Sequence, residues 1–219
     1  MLYLVDKKNH KQFCEEISCM FRMRSEVFLD ELGRGYNAPL GHEVDCYDGQ
    51  NTTYMMYIDD MGELVGALRI NTTNNPYQLQ DLMPNVEKSL AYHPSDKVWE
   101  ASRLYVKKQN RSHNALHVFK CLMTGLVAYA LKSKVEKLIY LTEQKKDVLY
   151  RRVGFVPHWK GNPVCLHGLT WRAGITYPNA ALMQNMLLRN HLKTPLLHRV
   201  KPHAKHRVND RKVVYLKSK

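Results

Sequence analysis

The chain has 219 residues, of which 44% are apolar and 24% charged, as in globular domains, and it is too short for two domains of ordinary size. No stretch of about 18 apolar residues predicts a membrane span, and residues 1–20 lack the apolar core of a secretory signal. The five cysteines are odd in number and show no C-x-x-C spacing, which is typical of reduced thiols. The sequence therefore predicts one soluble cytoplasmic domain without a transmembrane segment.

The net charge of +13 is concentrated at the C-terminus, where residues 191–219 contain nine Lys or Arg and one acid, Asp210. We predict a domain over residues 1–190 and a basic C-terminal extension over residues 191–219. The extension is either solvated or attracts an acidic protein, a nucleic acid or an anionic lipid. Because it contains Tyr215 but little aromatic interleaving and no zinc-finger spacing, we predict no nucleic-acid partner, and the dispersed histidines predict no metal.

The predicted elements follow from hydrophobic periodicity and turn residues. Helical spacing predicts a helix over residues 9–32, and β-rich segments around a turn at residues 59–62 predict a hairpin of residues 53–58 and 63–71. The later elements are a helix near residues 79–83, a strand over 97–106, a helix over 114–132, a strand over 137–142, a helical piece to 152, a β region to 177 and a helix over 178–190. This order predicts an α/β fold with a mixed central sheet.

Charged residues recur through the first half of the chain. Three are cations and three are anions, namely Arg24, Arg69 and Arg103 with Asp45, Asp48 and Glu100. Such a set can hold a zwitterionic ligand, with guanidinium groups on a carboxylate and acids facing an amine or a sulfonium. The alternative is a set of exposed ion pairs that contribute little to stability.

The spacing of Glu100 and Arg103 predicts an irregular strand. Their odd separation would place the two side chains on opposite faces of a regular strand. A β-bulge between them would bring both to one cleft, and bulges are common beside active sites.

These residues belong to four separated sequence blocks. The blocks are Arg24-Ser25-Glu26-Val27-Phe28, Glu43-Val44-Asp45-Cys46-Tyr47-Asp48, Gly66-Ala67-Leu68-Arg69 and Glu100-Ala101-Ser102-Arg103. In this order, over residues 20–106, they resemble the acyl-homoserine lactone synthases of the LuxI type, which make quorum-sensing signals. The resemblance implies a GNAT-like fold whose central sheet is splayed at a β-bulge. It also implies acyl transfer from an acyl carrier protein to the amine of S-adenosylmethionine, lactonisation, release of methylthioadenosine, and no cofactor.

The resemblance implies roles for individual residues. Those on the S-adenosylmethionine side are Arg24, Phe28, Asp45, Asp48 and Arg69. Glu100 and Arg103 would lie nearest the reacting centre, with Glu100 as the base and no side-chain nucleophile. Thr142 falls where the family places a residue beside the acyl chain. Arg34 stands where the family usually has a Trp, so we expect Tyr36 or Trp99 to supply an aromatic face instead.

The acyl donor is predicted from the loop after the strand over residues 97–106. CoA-using enzymes of this fold have glycines in that loop, whose amides bind pyrophosphate, and residues 109–114 contain none. This favours an acidic carrier protein and predicts a basic docking face, with Lys145, Lys146, Arg151 and Arg152 as its candidates. The alternatives are that these cations merely cover a solvated helix, or that a related N-acyltransferase uses another amine or acyl-CoA.

Overall fold

The computed structural model describes residues 1–27, 41–107, 114–166, 168–194 and 197–200. Within them, eight strands form one mixed sheet in the order β6-β7-β5-β4-β3-β2-β1-β8. The strands are β1 (Leu2–Val5), β2 (Thr53–Ile58), β3 (Leu64–Thr72), β4 (Val98–Val106), β5 (Lys137–Glu143), β6 (His158–Leu166), β7 (Leu169–Thr176) and β8 (Leu197–His198). The helices are α1 (Cys14–Ser25), α2 (Gln78–Leu82), α3 (Pro84–Ser89), α4 (Ala115–Lys132), α5 (Asp147–Arg152) and α6 (Ala180–Asn190), and 3-10 turns precede α1 and α5.

The predicted hairpin, the strand β4, the helix α4 and the strand β5 are confirmed within two residues at each end. The strand β1 was missed, because four consecutive apolar residues near a chain end show neither alternation nor a turn signal. All four of its residues are buried, and it pairs antiparallel with β2.

The central strands β4 and β5 separate along their length. They pair in parallel only over residues 98–100 and 137–139, so the strands diverge beyond Glu100 and Ile139. The resulting wedge exposes one edge of β4 and one edge of β5 to a shared cleft. This confirms the predicted splayed sheet.

The predicted bulge is in β4. Ser102 pairs with Arg69 and Tyr105 pairs with Ala67, so two β4 residues lie opposite the single residue Leu68. One of the two is Arg103, whose φ of 52° is in the left-handed region that L-residues rarely adopt. The strand irregularity that the Glu100/Arg103 spacing demanded is therefore present, and it is centred on Arg103.

Helices cover both faces of the sheet. The face under α4 and α6 holds the largest apolar cluster, including Leu68, Leu122 and Leu126, while α1 packs on the opposite face around Phe13. By length and composition alone, α4 would suffice to span a membrane. Its apolar residues nevertheless pack into this core, as in a buried helix of a globular domain.

Residues beyond α6 return to the sheet. Leu197 and His198 form β8, which pairs in parallel with β1, and the Arg199 guanidinium binds the Asp6 carboxylate. The predicted boundary at residue 190 coincides with the end of α6, and the division into domain and extension stays a prediction because residues 201–219 lie outside the described range.

Candidate active site

Arg24 lies in the last turn of α1 and reaches acids from the segment that precedes β2. Its Nε donates to Glu43 Oε2 at 2.5 Å, and its two terminal nitrogens donate to the two Asp48 oxygens at 2.8 Å each. This bidentate geometry suits the planar guanidinium group. Arg24 thus fixes the segment containing Glu43 and Asp48 against the sheet.

Two further arginines reach the same acids from the sheet. Arg103 donates to Glu43 Oε1 at 2.8 Å and to Asp45 Oδ2 at 2.7 Å. Arg69 binds Asp45 Oδ1, lies 3.1 Å from Asp48 Oδ1, and donates to Ser102 Oγ at 3.0 Å. We call the network of Arg24, Glu43, Asp45, Asp48, Arg69 and Arg103 the charged cradle.

The charged cradle is buried. Relative exposure is 1% for Arg24 and Arg69 and 0% for Glu43, so the alternative of exposed ion pairs is wrong. Burial alone would raise the pKa of Asp48 and Glu43. Contacts with Arg24, Arg69 and Arg103 outweigh burial and hold both pKa values below the ordinary range. The carboxylates therefore stay ionised, and their charges hold the arginines in place.

Two groups of the charged cradle remain available to a ligand. Nη2 of Arg69 is buried and has no hydrogen-bond partner within the described residues, and Asp45 is its most exposed acid at 13%. The Tyr47 ring lies 5.4 Å from the Arg69 guanidinium carbon, a cation–π distance. A cationic donor, an acid and an aromatic face are thus available together to a ligand.

Glu100 faces the same side of the sheet as the charged cradle. It pairs with Asn71, whose amide donates to the Tyr47 carbonyl. Its carboxylate is 1% exposed and accepts the backbone N–H groups of Gln78 at 3.0 Å and Leu79 at 2.6 Å, at the start of α2. Burial raises its pKa against the opposing effect of these N–H groups, so Glu100 is a stronger base than an exposed glutamate.

A cavity of about 100 Å³ occupies the wedge between β4 and β5. Its β4 side includes Ser102 and Arg103, which connect it to the charged cradle. At the opening lie Leu82, 39% exposed, and Lys146, whose side chain is also 39% exposed. The buried end, which we call the inner wall, is formed by Met123, Leu126, Tyr140, Tyr150 and Phe155. The cavity therefore runs from an open mouth to a closed apolar end.

Thr142 lies in the wall of this cavity. It is 5% exposed, and its hydroxyl is 3.3 Å from the hydroxyl of Tyr150. The structure thus brings Thr142 to the cavity, and its place beside an acyl chain stays a prediction.

The four predicted docking cations lie on the 3-10 turn and α5 beside the mouth. Lys145 and Lys146 are paired with Glu143 at 2.8 and 3.3 Å, and Arg151 is paired with Asp147 at 2.8 Å. Arg152 is exposed. These on-chain acids reduce the positive field that a partner would meet.

The remaining residues predicted for the S-adenosylmethionine side either lie outside the described residues or lie away from the charged cradle. Phe28, Arg34 and Tyr36 lie outside the described residues. The prediction that Trp99 supplies an aromatic face is wrong, because Trp99 packs on Tyr129 of α4, on the opposite face of the sheet from the charged cradle. β4 alternation places Trp99 and Glu100 on different faces.

Three residues at the site were missed as candidates. Glu43 bridges Arg24 and Arg103, Tyr47 lies against Arg69, and Ser102 accepts from Arg69. Glu43 and Tyr47 sit inside the same short block as Asp45 and Asp48, which is the signal that could have identified them. Among the described residues, no group of three or more His, Cys, Asp or Glu is arranged to hold a metal ion.

Comparisons with known proteins point to one family. A family model described as autoinducer synthase matches residues 8–168. The isovaleryl-homoserine lactone synthase of Bradyrhizobium diazoefficiens is 25% identical over 178 residues, 80% of this chain and 78% of that protein.

Solved structures share the fold. A CoA-dependent acyl-homoserine lactone synthase, BjaI, solved with SAM and isopentyl-CoA, superposes with a TM-score of 0.82 at 20% identity, over 92% of this chain and 94% of that one. An acyl-CoA N-acyltransferase from Pseudomonas aeruginosa superposes with a TM-score of 0.55 at 16% identity, over 80% and 97%. The predicted GNAT-like architecture is confirmed.

Proposed function

Since this chain belongs to the autoinducer synthase family and is an acyltransferase of the acyl-homoserine-lactone synthase type, we propose that it acylates S-adenosylmethionine with an acyl carrier protein thioester as donor. The reaction ends with lactonisation and release of methylthioadenosine. The observation that supports this most is the buried Nη2 of Arg69, which has no hydrogen-bond partner among the described residues and lies beside the partly open Asp45. The proposed enzyme is cytoplasmic, in agreement with its five free cysteines.

The charged cradle suits the zwitterionic end of S-adenosylmethionine. Arg69 Nη2 would bind the substrate carboxylate, and Asp45 would face the amine or the sulfonium. Each guanidinium nitrogen of Arg24 and both carboxylate oxygens of Asp48 already have partners within the chain, so we assign to these two residues the role of holding the segment in shape. Phe28 remains a proposed member of this side.

Glu100 is the proposed base of the first step. The amine of S-adenosylmethionine attacks the thioester carbon, the new N–C bond forms, and Glu100 takes the amine proton directly or through a water. The C–S bond then breaks and the thiol leaves with that proton. The β4 backbone N–H groups along the wedge, beyond the last residue paired with β5, are available to stabilise the oxyanion, with Arg103 beside them.

The second step forms the lactone ring. A carboxylate oxygen of the acylated product attacks its own γ-carbon, and the carbon–sulfonium bond breaks with loss of neutral methylthioadenosine. The sulfonium is already a good leaving group, so the protein mainly has to fold the substrate back on itself. A carboxylate anchored on Arg69 Nη2 near Asp45 would favour that conformation.

The donor thioester would enter through the mouth of the cavity. Its acyl chain would lie along Thr142 toward the inner wall, and the acidic carrier would dock beside Lys145, Lys146, Arg151 and Arg152. Acyl-CoA is the alternative donor, since BjaI is described as CoA-dependent.

Methylthioadenosine release tests the proposal. The purified chain is incubated with S-adenosylmethionine and either acyl carrier protein or CoA thioesters of matched acyl groups. Methylthioadenosine is quantified by chromatography and the lactone by mass spectrometry. We expect both products in equal amounts, with faster turnover from the carrier protein.

Controls separate the parts of this proposal. Acylation of a different amine without methylthioadenosine would refute S-adenosylmethionine as the substrate, and faster turnover with CoA would refute the carrier as preferred donor. An Arg69→Lys variant keeps the charge but loses the planar fork. It should raise KM for S-adenosylmethionine while leaving KM for the thioester unchanged.

A further inference from the structure

The inner wall of the cavity contains tightly packed aromatic side chains. Tyr140 contacts Phe155 with ring centroids 5.5 Å apart, and Tyr150 contacts Phe155 at 5.8 Å. The Tyr140 hydroxyl lies 2.8 Å from Thr176 Oγ1, and all three rings are buried. A ring fixed at both its face and its hydroxyl cannot easily move aside for a longer ligand.

Tyr140 occupies the narrow end of the wedge. The last β5 residue that pairs with β4 is Ile139, so Tyr140 is the first residue at which the two strands separate. Its side chain lies on the α4 side of the sheet, in the apolar cluster with Leu126 and Phe155. A chain that enters at the open end and extends toward this point meets the Tyr140 ring.

Gly174 allows the ring to take this position. Gly174 is the direct partner of Tyr140 in the β5–β7 pair. A Cβ on residue 174 would lie 2.4 Å from Tyr140 Cε2 and 2.7 Å from Cζ, closer than real Cβ contacts. A side chain at position 174 would push the ring away from β7, and the Tyr140 ring also lines the cavity.

From this arrangement we infer that Tyr140, seated on Gly174, ends the acyl site and restricts the enzyme to short acyl groups. The cavity of about 100 Å³ agrees with this, because an apolar cavity of about 150 Å³ binds benzene, a ligand of six carbons. The substrate class is therefore an acyl thioester of about six carbons or fewer, linear or branched. This inference rests on the proposed function, since it assigns the acyl group of that reaction.

The test measures kcat/KM for butanoyl, hexanoyl, octanoyl and decanoyl thioesters on whichever donor supports turnover. The unmodified enzyme should prefer butanoyl or hexanoyl over decanoyl by tenfold or more, since one methylene too many costs about tenfold to 200-fold in a tight pocket. Tyr140→Leu removes the ring and should raise the decanoyl-to-butanoyl ratio at least tenfold. Tyr140→Phe keeps the ring against Phe155 and loses only the hydroxyl contact with Thr176, so it should change that ratio much less than Tyr140→Leu does.

Gly174→Ala should change the acyl-length preference in the direction opposite to Tyr140→Leu, and only while the Tyr140 ring is present. By pushing the ring inward it should lower kcat/KM for hexanoyl more than for butanoyl. In a Tyr140→Leu background the same Gly174→Ala change should have no such effect, because no ring remains to be displaced. If Gly174→Ala fails to fold, the decanoyl-to-butanoyl ratios of Tyr140→Leu and Tyr140→Phe still test the inference.

Two outcomes would overturn the inference. One is a decanoyl preference in the unmodified enzyme, and the other is an unchanged chain-length ratio in Tyr140→Leu. Failure of the proposed function is separate, because then no donor of any length would release methylthioadenosine from S-adenosylmethionine.

Discussion

The two sides of the splayed sheet differ in polarity. On the side of α1, the charged cradle places three arginines among carboxylates that are nearly inaccessible to water. On the side of α4, the inner wall packs aromatic and apolar side chains with only hydroxyl groups as polar members. The first side is defined by charge and hydrogen-bond geometry, while the second is defined by the volume of its side chains.

The difference predicts distinct sensitivities. Ion pairs that are buried depend on both partners and on protonation, since removing one partner leaves an uncompensated charge. An apolar wall responds to volume instead, and a substitution there changes stability without regard to pH. Substitutions on each side test this difference.

The largest effect is expected from Arg24→Ala. Losing the partner of Glu43 and Asp48 should lower the free energy of unfolding by about 3–5 kcal/mol at pH 7. Arg22, which is exposed and lies in the same last turn of α1, supplies the control, and Arg22→Ala should change the free energy of unfolding by no more than about 0.5 kcal/mol. Urea denaturation monitored by circular dichroism measures both.

The pH dependence of this loss distinguishes the two sides. Glu43 and Asp48 have lowered pKa values in the folded state, so their stabilisation is present above the unfolded pKa near about 4 and is lost as pH falls further. The cost of Arg24→Ala should therefore shrink in acid. Phe155→Ala, at about 3–5 kcal/mol, should keep its cost at every pH. Equal acid dependence in both variants would contradict the contrast.

The charged side was largely readable from the sequence, and the apolar side was not. Arg24, Asp45, Asp48, Arg69 and Arg103 were predicted through the resemblance to the acyl-homoserine lactone synthases, and the odd spacing of Glu100 and Arg103 predicted the observed bulge. Burying a charged residue is costly unless it is paired, so a recurring pattern of opposite charges predicts which residues lie together.

The inner wall depends on relations that sequence spacing does not contain. In the sequence nothing distinguishes Tyr140 from other strand residues, because only the pairing of β7 with β5 places Gly174 beside it. The same holds for Glu43, whose bridging role appears only when α1 and β4 meet. The strand β1 was missed for another reason, since its four consecutive apolar residues show neither alternation nor a turn signal.

A further prediction concerns Glu100→Gln. As a base, Glu100 must be ionised, so the rate of acyl transfer should fall as pH decreases through its raised pKa, above the ordinary value near about 4.3. Glu100→Gln should lower kcat by about a hundredfold or more at pH 7 and abolish this acidic limb. The pH profile of methylthioadenosine release measures both.

A purely structural role for Glu100 would give a different profile. Its carboxylate also accepts the Gln78 and Leu79 N–H groups, so Glu100→Gln can disturb the start of α2. In that case kcat would drop at all pH values and the acidic limb would remain. Near-normal turnover in Glu100→Gln would eliminate the base assignment altogether.

The smallest effect on stability is expected at the mouth. Arg151 forms an exposed (i, i+4) pair with Asp147, worth about 0.3–0.5 kcal/mol. Arg152 is exposed, and its loss should leave stability unchanged within about 0.5 kcal/mol. If an acidic carrier docks here, Arg152→Glu should still raise KM for the acyl carrier protein several-fold, and more at low ionic strength, because surface charges act over roughly 10 Å at 0.1 M salt. KM for the matched CoA thioester is the internal control, and parallel changes in both KM values would place the effect in the cavity rather than on a docking face.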